Sequence, residues 1–131
     1  MSINASTTVE SDSGYAQKIE AGGHQLTADE PVSAGGTDTG PRPYGLLLAA
    51  LGACTSITLR MYAQRKDWPL GHIHVALRHL RTDDGGEHIE RDVSFSAPLS
   101  EEQRSRLAEI AEKTPVTKTI KTGASILTRL L

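Results

Sequence analysis

Apolar positions in this chain follow two different periods. Leu47, Leu51, Cys54, Thr58 and Met61 recur at three- and four-residue steps, the repeat of one helix face. That spacing predicts a helix from Tyr44 to about Lys66. Pro43 opens it at the position where a missing N–H costs nothing. Leu46, Leu48 and Ala50 make its first half apolar nearly all round, so burial on several sides is expected. Its second half is amphipathic, and Arg60, Arg65 and Lys66 suit the negative pole of the helix dipole. Asp67-Trp68-Pro69 ends it.

Elsewhere the period is two. Tyr15 to Ala21 and His24 to Ala28 flank Gly22-Gly23, which reads as a β-hairpin closed by Asp29-Glu30-Pro31. His72 to Thr82 carries Ile73, Val75 and Leu77 on one face, and His88 to Ala97 returns with Ile89, Val93 and Phe95. Asp83-Asp84-Gly85-Gly86 supplies the turn. Ser33 to Pro43 holds three glycines and two prolines and reads as a loop. Ser100 with Gln103 forms a capping box for a helix through Leu107, Ile110 and Ala111, interrupted at Pro115. Thr117 to Gly123 stays open between states. Ser125 to Leu131 is expected as a last strand with Ile126 and Leu130 inward, and residues 1–14 as a frayed, polar start. The order is that of an α+β fold with antiparallel sheet.

Composition narrows the function classes. The 131 residues suit a single domain over 1–131. Fourteen basic against 16 acidic residues give a formal charge of −2, which argues against nucleic acid as a partner. One cysteine excludes an intrachain disulfide and favours a reducing, cytoplasmic setting. Met1 to Asp12 lacks the basic and apolar regions of a signal peptide. The apolar run Leu46 to Leu59 is 14 residues between Arg42 and Arg60, against about 20 for a membrane span, so no membrane is expected. No motif calls for a cofactor.

Few side chains offer chemistry. Cys54 sits among Ala50, Ala53 and Ile57, where a free thiol ordinarily packs as a small hydrophobe. Lying in about the third turn, it is beyond reach of the helix dipole, so reactivity requires a cation delivered by the fold. Gly35-Gly36-Thr37-Asp38-Thr39-Gly40 has the glycine spacing of a phosphate loop, yet Pro41-Arg42 follows where such a loop needs Lys and Ser or Thr. An ordinary loop setting the helix entry is the expectation. His72 and His74 share a strand face, but no third ligand completes a metal set.

Gly40-Pro41-Arg42-Pro43-Tyr44, Leu46 to Thr55 and Thr58 to Ala63, flanked by Asp29-Glu30-Pro31 and Leu99-Ser100, resemble the OsmC/Ohr family of osmotically inducible and organic-hydroperoxide-resistance proteins. The resemblance runs from about Tyr15 to Leu131. It implies an OsmC-like fold, antiparallel sheets around a long buried central helix, in an intertwined homodimer. It also implies a peroxidatic cysteine at Cys54, a second, resolving cysteine in a Cys-Pro-Val motif, and an Arg–Glu pair tuning the first. Here Thr114 stands before Pro115-Val116 in the resolving position, and Gly45 stands where the family has glutamate. Arg42, beside the helix entry, is the candidate thiolate partner.

Two readings follow. One is a one-cysteine organic hydroperoxide reductase, with Cys54 oxidised by a small peroxide and reduced by an external thiol. The other is an inactive dimer that binds a small apolar ligand or partner, with Cys54 structural.

Overall fold

The computed structural model describes all 131 residues, in the order β1 (Thr7–Glu10), β2 (Gln17–Ala21), β3 (His24–Ala28), a 3-10 turn (Val32–Ala34), α1 (Pro43–Arg65), β4 (Ile73–Arg81), β5 (Glu87–Phe95), α2 (Glu101–Ala111) and α3 (Pro115–Thr122). The α+β class with antiparallel sheets is as expected. Two compact units divide the chain, Met1–Leu47 and Leu48–Leu131.

In the first unit β1, β2 and β3 form an antiparallel sheet in that order. Gly22 and Gly23 both take positive φ, 57° and 81°, the pairing a two-residue hairpin turn requires. The frayed start is corrected: Val9 lies opposite Ile19, which lies opposite Leu26, so Thr7–Glu10 is a paired edge strand. Cross-strand pairing of Thr, Val and Ile carries a segment too polar to register as apolar alternation.

In the second unit β4 and β5 form a two-stranded sheet across the expected turn. Ile73 faces Phe95 and Val75 faces Val93. Leu59, Ala63, Leu70, Leu107 and Ala111 make the core, with Trp68, Val93, Phe95 and Ile110 packed against it. The capping box forms as read: Ser100 Oγ accepts from Gln103 N at 3.1 Å and Ser100 N donates to Gln103 Oε1 at 2.9 Å.

The buried side of α1 is not the expected one. Leu51, Gly52, Thr55, Leu59 and Ala63 are buried, whereas Leu47, Ile57 and Met61 are 39%, 59% and 49% exposed. Gly52 fixes this orientation. A Cβ there would stand 2.8 Å from Leu77 Cδ1, so its absence lets the helix lie close on β4. Apolar residues nearly encircle α1, so period alone could not select the face. At 23 residues the helix is long and apolar enough to cross a bilayer on length and composition, a test that a core helix also passes.

The C-terminal expectation is corrected as well. Residues 123–131 form no strand, and Ile126 and Leu130 are 89% and 97% exposed rather than inward. Within this one chain no neighbouring strand edge pairs with the segment. The ambiguous stretch before it is helical, because Thr114 caps and Pro115 starts α3.

Candidate functional site

Cys54 lies on α1, half-buried, with Ala50, Ala53 and Ile57 exposed around it. Its Sγ is 4.0 Å from Thr58 Oγ1, one turn on. The thiol therefore stands on the open side of the helix, not in the core where its apolar neighbours suggested it would pack. Met61 continues the same open face.

Thr114 is fully buried. Its hydroxyl sits 2.6 Å from Thr117 Oγ1 and accepts the Thr117 N–H at 3.3 Å, which makes it the N-cap of α3. The side chain where the resemblance expects a resolving cysteine thus holds a helix start here. Gly45 lies in the first turn of α1 and is exposed. Arg42 takes its carboxylate partner from Glu30, Nε to Oε1 at 3.3 Å, within the first unit.

The charged residue that the sequence reading missed is Arg91. It alternates with Ile89, Val93 and Phe95 and so occupies the inward face of β5, opposite Leu77. Its side chain is only 12% exposed. Nη1 donates to Thr55 Oγ1 and Thr117 Oγ1, each at 2.9 Å; Nη2 donates to the Ala111 carbonyl at 3.0 Å and to Glu112 Oε2 at 2.9 Å. A cation interrupting an otherwise apolar alternation was the available signal. Arg91 bonds Thr55 rather than Cys54, and adjacent helical residues point to different sides.

Glu112 is bridged on its other oxygen by Lys121 at 2.7 Å. The Lys121 hydrogen bond, the largest influence, holds its carboxyl below the usual range; desolvation opposes it, and the charges of Lys121 and Arg91 with the Arg91 hydrogen bond add to the lowering.

The glycine loop of the first unit does not present its amides outward. Buried Asp29 accepts Thr37 Oγ1 at 2.6 Å, Thr39 Oγ1 at 2.7 Å and the N–H groups of Thr37 and Thr39 at 3.3 and 3.1 Å. An internal carboxylate fills the cradle that a phosphate would need. The Thr37 and Thr39 hydroxyls hold that carboxyl far below its ordinary range. Gly36 makes the fold possible, since a Cβ there would lie 2.0 Å from the Glu30 carbonyl. His74 faces Ser94 on the sheet's other side, and His72 precedes β4.

Residues 36–129 match the family model described as OsmC-like protein. No curated protein matches. Among solved structures, the chain is similar to an OsmC-like protein of Mycoplasma pneumoniae, with TM-score 0.80 at 20% identity over 94% of this chain and 91% of that one. It is also similar to the organic hydroperoxide resistance protein OsmC of Legionella pneumophila (0.68, 17%, 91% and 90%). A third similar structure is the organic hydroperoxide resistance protein OhrB of Bacillus subtilis (0.63, 24%, 92% and 93%). At these identities the likeness is one of fold.

Proposed function

Since the chain belongs to the OsmC-like family, we propose that it is a cytoplasmic, dimeric, one-cysteine reductase of small organic hydroperoxides. The observation that carries this reading is the placement of Cys54, a half-buried thiol on an apolar helix face left open by its own chain. A structural thiol belongs in the core, whereas a reactive one needs access and a cation within reach to favour the thiolate. A second copy covers Ile57 and Met61, which one chain leaves exposed.

The chemistry is short. The Cys54 thiolate attacks the terminal peroxide oxygen, the O–O bond breaks, and the departing alkoxide takes up the proton the thiol released. The products are an alcohol and a Cys54 sulfenic acid. Thr114 cannot condense with that acid, so a low-molecular-weight thiol does: water leaves and a mixed disulfide forms. A second such thiol frees Cys54 and departs as the oxidised disulfide. Without a second cysteine, slow resolution exposes the sulfenic acid to further oxidation.

Intact-mass spectrometry tests the reading. The reduced protein receives one equivalent of an organic hydroperoxide and a sulfenic-acid trap, beside a Cys54→Ala control. Rapid adduct formation that needs Cys54 is expected. Absence of an adduct on the folded protein, with normal thiol labelling once unfolded, would leave the alternative of an inactive ligand-binding dimer. Sedimentation equilibrium checks the assembly, and a monomer at micromolar concentration would contradict it.

A further inference from the structure

We infer that a cavity of about 270 Å³ between β5, α1 and α2 is a binding site for a small amphiphilic carboxylate, separate from Cys54. Its apolar wall is Leu59, Val93, Phe95 and Leu107, and Arg91 and Arg104 are its cations. Leu59 lies five residues beyond Cys54, roughly 140° further round α1 at 100° per residue, so the cavity opens away from the thiol.

Charge decides the ligand class. Four of Arg91's five donors are used, on Thr55, Thr117, Ala111 and Glu112, and its Nε–H has no acceptor. Arg104 is exposed, and its guanidinium makes no hydrogen bond or ion pair with the protein. The one acidic lining residue, Glu112, has both oxygens engaged, by Arg91 and Lys121. The cavity thus carries an uncompensated positive charge over an apolar floor. An inorganic anion would leave that floor wet and a neutral hydrocarbon would leave Arg104 unused. A carboxylate with an apolar body satisfies both, with the planar guanidinium suited to its head.

Size bounds the body. Pockets for drug-sized ligands measure about 300–1,000 Å³, and this cavity falls just below that range. A medium-chain acid such as octanoate fits that limit.

Calorimetric titration of the full-length reduced protein with octanoate, and with 1-octanol as the uncharged control, tests the site. Octanoate is expected to bind about tenfold or more tightly than octanol, the worth of one charge-assisted hydrogen bond. Arg104→Gln should bring octanoate down to the octanol level. Ala108→Trp, on an exposed residue at the cavity wall, should abolish binding of both while the fold is retained. Cys54→Ala should bind octanoate unchanged. No octanoate binding at millimolar concentration overturns the proposal, as does octanol binding equally well, or Arg104→Gln and Ala108→Trp both binding like the parent. Loss of binding in Cys54→Ala would place the acid at the thiol and overturn this site too. Failure of sulfenic-acid trapping at Cys54 leaves it untouched.

Discussion

Arg91 Nη1 donates to Thr55 Oγ1 at 2.9 Å, tying β5 to the central helix across 36 residues of sequence. The same guanidinium reaches Thr117 and the Ala111 carbonyl, so one cation holds three helices to the sheet. Arg91→Ala removes the cation that these groups share and leaves Thr55 Oγ1 without its donor, and should lower unfolding free energy by about 3 kcal/mol. Arg91→Lys keeps the charge but cannot span acceptors set around a fork, so it should recover at most about half. Urea midpoints of the parent and the two variants check this. A loss below about 0.5 kcal/mol for Arg91→Ala would show the network to be dispensable.

Thr114→Cys supplies the thiol that the resemblance expects before Pro115-Val116. If the missing thiol is the only obstacle, peroxide treatment should join it to Cys54, with release of water from the sulfenic acid. Intact mass should then fall by two hydrogens. The variant also weakens the α3 N-cap, at a cost of about 1 kcal/mol. A stable Cys54 sulfenic acid beside an unreacted second thiol would show that the two positions do not meet.

Asp29 sets an acid limit on the first unit. Its folded pKa lies well below the ordinary value of 3.8, chiefly through the Thr37 and then the Thr39 hydroxyl. The unfolded chain therefore binds the proton first, so this stabilisation is complete above 3.8 and declines as pH falls toward the folded value. Asp29→Asn should be less stable than the parent at pH 7, and the gap should narrow below about pH 4. Denaturant melts from pH 7 to pH 3 measure the gap. An unchanged gap would remove Asp29 from the acid limb.

Two glycines should respond in opposite directions. At Gly45 an added Cβ meets only Pro41 Cβ at 3.6 Å, an ordinary contact in a first helical turn. Gly45→Ala should stabilise by up to about 1 kcal/mol. At Gly36 the Cβ would press on the Glu30 backbone, and Gly36→Ala should destabilise by about 1–3 kcal/mol. Thermal or urea melts of both variants decide. A destabilising Gly45→Ala would mean that the helix entry needs more backbone freedom than its contacts indicate.

The sequence by itself determined the local elements. Gly22-Gly23, the Asp-Asp-Gly-Gly turn, Pro43 and the Ser100–Gln103 box act within a few residues of themselves, so their geometry follows from residue type. It also carried the family resemblance, which rests on the stretches around Cys54 and agrees with the family match over residues 36–129. Relations across the chain were decided by tertiary structure alone. Which side of α1 is buried depended on Gly52 meeting Leu77, a contact between elements that no period along one element encodes. Arg91 was legible only as an exception to alternation, and its partners lie 20 to 36 residues away. The open placement of Cys54 follows from that same choice of helix face: turning Gly52 and Thr55 inward leaves the thiol beside the solvent.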